Sequence, residues 1–252
     1  MTIQELQVKL QESQAEIELL IEETPWLRDA VNETEQKQRI ALLFDVNNLA
    51  KQKENSLQII KKRQLPNGAW PWYGSMYEDR YMTQHIVAGF AFLTRLNILS
   101  AKDDQLQTML KNAVAYLDKK MHEEYLELKN RKGFNLKNNY SSAISIHYLY
   151  TRSFYINDIK LNQNHQEAFN FWLNQAIKNW TTQPLYAQTL TAIAAHRYQK
   201  KEVVDDILKS IQERSLYNEE FGRWWRDNTL GYYWYQSPIE TQAMLIELFN
   251  EI

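Results

Sequence analysis

Apolar residues recur along this chain at three- and four-residue spacing, which is the mark of amphipathic helices. Ile3, Leu6, Leu10, Ile17 and Ile21 fall near that spacing in a segment of good helix formers. Thr24 can cap the next helix, with Pro25 at its first position and Trp26, Leu27, Ala30 and Val31 on its apolar face. Ile40, Leu43, Phe44, Val46 and Leu49 predict a helix over 34–51, and a short one follows over 54–63. Residues 83–97 read as a buried helix in which Ala88, Gly89 and Ala91 permit close approach. Asp103 or Asp104 caps a helix reaching Leu128. Residues 140–154 carry Ser141, Ser142, Ala143 and Ser145 on a small-residue face. Helices over 164–180, 185–198, 201–214 and 237–252 complete the series. The pattern predicts about ten helices on short links, without strand alternation. Small-residue helices alternate with charged, amphipathic ones. That suits paired inner and outer helices, an all-α fold of the α/α toroid type.

Two aromatic knots interrupt the helices. The first runs from Gln64 through Gly68, Trp70, Trp72, Tyr73 and Tyr81 into a helix that carries Thr83 and Gln84 in its first turn. Asn67-Gly68 is a turn signal, and Gln64 stands where its amide can bond exposed backbone groups. The rigid Trp-Pro-Trp presents its rings to opposite sides. The second knot holds Gly222, Trp224 and Trp225, then Tyr232, Tyr233, Trp234, Tyr235 and Gln236, and opens a helix with Glu240-Thr241-Gln242. Loop-plus-helix thus repeats at both ends of the chain, as in a repeat-built fold.

Composition narrows the function classes. At 252 residues the chain is read as a single domain, 1–252, and its 6 Gly and 5 Pro suit long helices. A net charge of −2 gives no reason to expect nucleic acid as a partner. The absence of Cys excludes disulfides, thiolate metal sites and a Cys nucleophile within this chain. The N-terminus lacks the pattern of a signal peptide, and no apolar run approaches a membrane span.

The spacing Gln64-x-x-x-Gly68-x-Trp70 resembles the Gln-Trp repeat of terpenoid cyclases and the protein prenyltransferase fold, whose loops tie outer to inner helices. Six longer stretches are more specific: E-T-P-W-L-R-D-A-V-N-E-T-E-Q-K at 23–37, A-L-L-F-D-V-N at 41–47, N-G-A-W-P-W-Y-G at 67–74, R-Y-M-T-Q-H-I-V-A-G-F at 80–90, N-Y-S-S-A-I-S-I-H-Y-L-Y-T-R-S-F at 139–154 and Y-Y-W-Y-Q-S-P-I-E-T-Q-A at 232–243. In that order they resemble the thioester-domain region of bacterial, Bacteroidetes-type α2-macroglobulin-like proteins. The resemblance implies an incomplete α/α toroid that is a fragment of a much larger secreted or periplasmic protease trap. Its partners would be the other domains of the parent and, through the parent, target proteases. The family's Cys-x-Glu-Gln motif precedes the E-T-P-W segment, so the resemblance implies either a chain that starts downstream of it, the favoured reading, or a parent that lacks the thioester. No catalytic residue carries over, and no cofactor is implied. Aromatic residues shield the thioester in that family, which makes the knots candidates for contact with the parent.

A second reading is an α/α-barrel enzyme or carbohydrate-binding module, since Glu78, Asp79 and Glu240 lie beside aromatic loops. A glycosidase needs two carboxylates across one cleft. As helix caps or first-turn acids the same residues need no substrate. The five histidines, at 85, 122, 147, 165 and 196, form no i, i+4 pair, so no metal site is expected, and His85 and His147 suit apolar helices as core histidines. Asp103-Asp104 reads as a helix cap.

Overall fold

The structure, a computed structural model, describes residues 46–73, 77–100, 103–220 and 222–252. The expected helices over 3–22 and from Thr24 to Val31, and the first part of the one over 34–51, lie outside these residues. The chain divides into two compact units, Met1–Lys62 and Arg63–Ile252.

Helix α1 (Val46–Arg63) is continuous where the sequence pattern suggested a break between 51 and 54. Lys51, Gln52 and Lys53 are good helix formers and no Gly or Pro intervenes, so nothing ends the helix there. Gln58 Nε2 donates to Glu54 Oε1 at 2.9 Å one turn away.

The second unit holds seven α-helices among its described residues: α2 (Arg80–Arg95), α3 (Asp104–Lys129), α4 (Ala143–Ser153), α5 (Gln166–Asn179), α6 (Leu185–Arg197), α7 (Lys201–Glu213) and α8 (Pro238–Glu251). Local chemistry sets their starts. The Asp79 side chain accepts from the Met82 N–H, so α2 begins one turn earlier than the apolar pattern suggests. Asp103 caps α3 through the Gln105 and Leu106 N–H groups. Ser142 and Ser145 form a reciprocal capping box. That places Ser141 and Ser142 before α4 rather than on a small-residue face within it.

Helices α2, α4, α6 and α8 pack in succession, each against the next. Helices α3, α5 and α7 alternate with them in the chain and pack respectively on α2, α4 and α6. The contrast follows from composition. Helix α6 buries every residue from Leu185 to Ala195 and is apolar or small nearly all round. Helix α7 buries only Val204, Ile207 and Ile211, a single stripe. One expectation holds only in part: Ala88 and Ala91 are buried, but among the described residues a Cβ placed on Gly89 would meet nothing within 4 Å.

Two short antiparallel hairpins correct the expectation of no strands. β1 (Trp70–Pro71) pairs with β2 (Glu78–Asp79), Trp70 opposite Asp79. β3 (Ser215–Asn218) pairs with β4 (Gly222–Trp225), Ser215 opposite Trp225. Strands of two and four residues are too short to show alternation. Among the described residues no helix is long and apolar enough to cross a membrane.

Candidate functional site

The first knot is tied to both neighbouring helices. Gln64 Nε2 donates to the Gly68 carbonyl and to the Met109 carbonyl of α3, each at 2.9 Å. Gly68 takes φ +91° with its Cα packed against the Asn112 carbonyl of α3, a place only glycine fits without a shift. The Trp70 N–H donates to Thr83 Oγ1 at 2.9 Å, and Thr83 Oγ1 donates to the Asp79 carbonyl at 2.7 Å. Trp70 is 1% exposed, whereas Trp72 is 47% exposed, so one ring is buried and the other meets solvent. Tyr73 lies in solvent beside Trp72 in the chain.

The second knot divides in two. At its hairpin Trp225 is buried, donates from Nε1 to the Ile211 carbonyl at 2.7 Å and stacks on Phe249 at 6.2 Å. Trp224 is partly exposed on the same strand. Beyond the hairpin Gln236 folds the loop: its Oε1 accepts from the Tyr233 N–H at 3.2 Å and its carbonyl from the Gly231 N–H at 3.0 Å. Tyr233 and Tyr235 stack at 5.3 Å. Tyr232 is 95% exposed.

The two knots meet at one ring cluster. Trp234 lies 4.4 Å from Tyr81, 5.5 Å from His147 and 5.7 Å from Tyr186, centroid to centroid. Tyr81 also lies 6.2 Å from Trp72, 6.0 Å from His85 and 5.7 Å from His147. These side chains come from the starts of α2, α4 and α6 and from the turn before α8. Those four helices therefore run in the same direction and bring their N-terminal ends together. Glu240, in the first turn of α8, accepts from the Tyr186 hydroxyl at 3.3 Å, where helix dipoles favour negative charge. Gln84 and His147 were separate in the sequence reading; here His147 Nδ1 donates to Gln84 Oε1 at 2.9 Å. Gln84 Nε2 donates onward to the Ile144 carbonyl at 3.3 Å.

Burial, then the neighbouring His85, pushes His147 down to about 3, so it stays neutral at physiological pH. Burial, then the Glu240 and Asp79 carboxylates, pushes the Tyr81 hydroxyl up to about 12. His147 and Tyr81 are thus uncharged at neutral pH, with the Glu240 and Asp79 carboxylates near Tyr81.

The other ends of the same helices carry charge. Arg197 Nε donates to Glu251 Oε1 at 2.6 Å, Nη2 donates to Glu251 Oε2 at 2.6 Å and to Glu247 Oε1 at 2.7 Å, and Nη1 donates to Ser153 Oγ at 3.0 Å. Arg95 reaches Glu251 at 3.0 Å, and both guanidiniums lie over Phe154, at 4.7 and 4.0 Å. Two arginines in final helical turns complement the C-terminal ends of the dipoles.

The acids that suggested sugar chemistry are occupied. Asp79 caps α2, and Glu78 pairs with Lys120 at 3.3 Å rather than capping. Among the described residues no group of three or more His, Cys, Asp or Glu stands close enough to hold a metal. The sequence reading missed the Tyr81–His147–Trp234–Tyr186 convergence, whose members lie far apart in the chain. Apolar helix positions carrying a His or Tyr near an N-terminus were the available signal. Comparison with family models, curated proteins and solved structures gives no match to this chain.

Proposed function

We propose that this chain is a non-catalytic interaction domain, an incomplete α/α toroid within a bacterial α2-macroglobulin-like protease inhibitor of the periplasm or cell envelope. One observation carries the reading. Four of the six stretches that bear the family resemblance (67–74, 80–90, 139–154 and 232–243) contribute rings or hydrogen bonds to the same cluster through Trp72, Tyr81, Gln84, His147, Trp234 and Glu240. Segments scattered through the sequence would have no reason to share one site if the resemblance were a chance of composition.

The alternation of inner and outer helices supports the toroid, and the rings packed where the inner helices begin support a filled axis over an open catalytic cleft. The exposed Trp72, Tyr73, Tyr232 and Tyr233 are the surface this reading assigns to contact with the rest of the parent. Sequencing the reading frame upstream of Met1 tests it. The expected result is an open frame that continues upstream through an in-frame Cys-x-Glu-Gln. A stop codon or a signal peptide directly before Met1 would sink it.

A further inference from the structure

The sequence holds a single Asn-Gly pair, Asn67-Gly68, and the first knot is built around it. Asn-Gly is the pair most prone to deamidation, because a glycine without a side chain lets its backbone nitrogen swing onto the asparagine amide. The folded knot withholds that nitrogen. Residues 65–68 form a tight turn closed by the Gly68 N–H, which donates to the Leu65 carbonyl at 2.8 Å. Asn67 Oδ1 accepts from the Ala69 N–H at 3.1 Å, which holds the side-chain amide towards Ala69. The Leu65 N–H donates to the Ala69 carbonyl at 2.8 Å, and Gln64 ties the Gly68 carbonyl to α3 through Met109. Gly68 is buried against the Asn112 backbone, whereas Asn67 is exposed. Water therefore reaches the amide while the nucleophile beside it is locked.

We propose that Asn67 is a modification site gated by the knot: it keeps its amide while the knot is closed and deamidates when the knot opens. In the open state the Gly68 nitrogen gives up its proton and attacks Asn67 Cγ. The new N–C bond closes a succinimide, and the side-chain nitrogen leaves as ammonia with that proton. Water, the only co-reactant, then opens the ring to aspartate or isoaspartate. Isoaspartate routes the chain through the former side chain and adds one methylene to the backbone just before Gly68. Gly68 has no spare room against Asn112, so the isoaspartyl chain cannot return to its place. A transient opening thus becomes a permanent loosening between the knot and α3. This inference does not depend on the interaction role proposed above.

The test follows conversion of Asn67 in the full chain at mildly alkaline pH by peptide mass spectrometry, folded and in urea. The folded chain should convert at least ~100-fold more slowly than the unfolded one. Gln64→Ala, which removes both Gln64 bonds, should speed conversion in the folded chain roughly tenfold. The wild type alone supplies a check that no folding defect can confuse. Deamidation and hydrogen exchange of the Gly68 amide need the same opening, so the fold should slow both by factors that agree within about tenfold. The purified isoaspartyl chain should lose exchange protection at Gly68 and Ala69. Equal conversion in the folded and unfolded chains, an unchanged rate in Gln64→Ala, or slowing that disagrees with the exchange of Gly68 would overturn the gate. Full protection in the isoaspartyl chain would overturn the permanent loosening.

Discussion

The two knots share a register and differ in how they use it. In α2 and in α8 a threonine occupies the fourth helical position and a glutamine the fifth: Thr83 and Gln84 in one, Thr241 and Gln242 in the other. Both threonines are buried. Gln84 turns away from its own hairpin and bonds His147 of α4. Gln242 instead donates to the Arg223 carbonyl at 3.0 Å and so holds its own hairpin. The first knot is therefore a fastening between helices, with its polar groups satisfied inside. The second fastens itself and leaves Leu230, Tyr232, Tyr233 and Ile239 in solvent. The same local design gives a staple in one place and a surface in the other.

The glycines sharpen that contrast most. Gly68 and Gly222 both take positive φ, +91° and +68°. A Cβ at Gly68 would strike the Asn112 backbone, whereas one at Gly222 would meet nothing within 4 Å. Gly68→Ala combines left-handed strain with a forced shift of α3 or the loop and should lose roughly 2–5 kcal/mol. Gly222→Ala carries the strain alone and should lose about 1 kcal/mol. Urea unfolding of both variants measures the difference. Equal losses would mean that the first knot is no more tightly held than the second.

The next effect is acid sensitivity. His147 sits in the first knot's polar link and has a folded pKa of about 3, below the ordinary 6.5. In the window between those values the unfolded chain takes up a proton that the folded chain refuses. The stability His147 permits is complete above pH 6.5 and is lost progressively as pH falls toward 3. The slope approaches 1.4 kcal/mol per pH unit at most. Chemical denaturation of wild type and His147→Gln at pH 7.5 and pH 5 should show the wild type losing roughly 2 kcal/mol more than the variant. Parallel pH profiles would show that His147 takes up a proton as readily in the fold as in the unfolded chain.

The helical class and the caps were legible because they rest on local chemistry. Asp103 lies where a cap must lie, and α6 reads as buried because its residues are small or apolar all round. The hairpins were not legible: the register of Trp70 against Asp79 depends on Thr83, thirteen residues further on, accepting the Trp70 N–H. The sequence pointed to each knot but not to their meeting. That meeting depends on four helices running in the same direction, which is a property of topology rather than of any segment. Glu78 shows the converse. Its position suggested a cap, and the nearby Lys120 of α3 takes it instead.

The smallest expected effect falls on the exposed half of the second knot. Tyr232 is 95% exposed and, among the described residues, its ring pairs with Tyr233, edge-on at 5.5 Å. It removes little apolar area from water, so Tyr232→Ser should change stability by no more than about 0.5 kcal/mol. The aromatic staple behind it, Trp234 against Tyr81, does not depend on it. If this surface docks on the remainder of a larger protein, the same substitution should weaken association between this chain and that remainder while leaving its thermal midpoint in isolation unchanged. Measured together, the two readouts separate a surface kept for a partner from one kept for folding: a large loss of stability in isolation would assign Tyr232 to the fold and make the second knot a staple like the first.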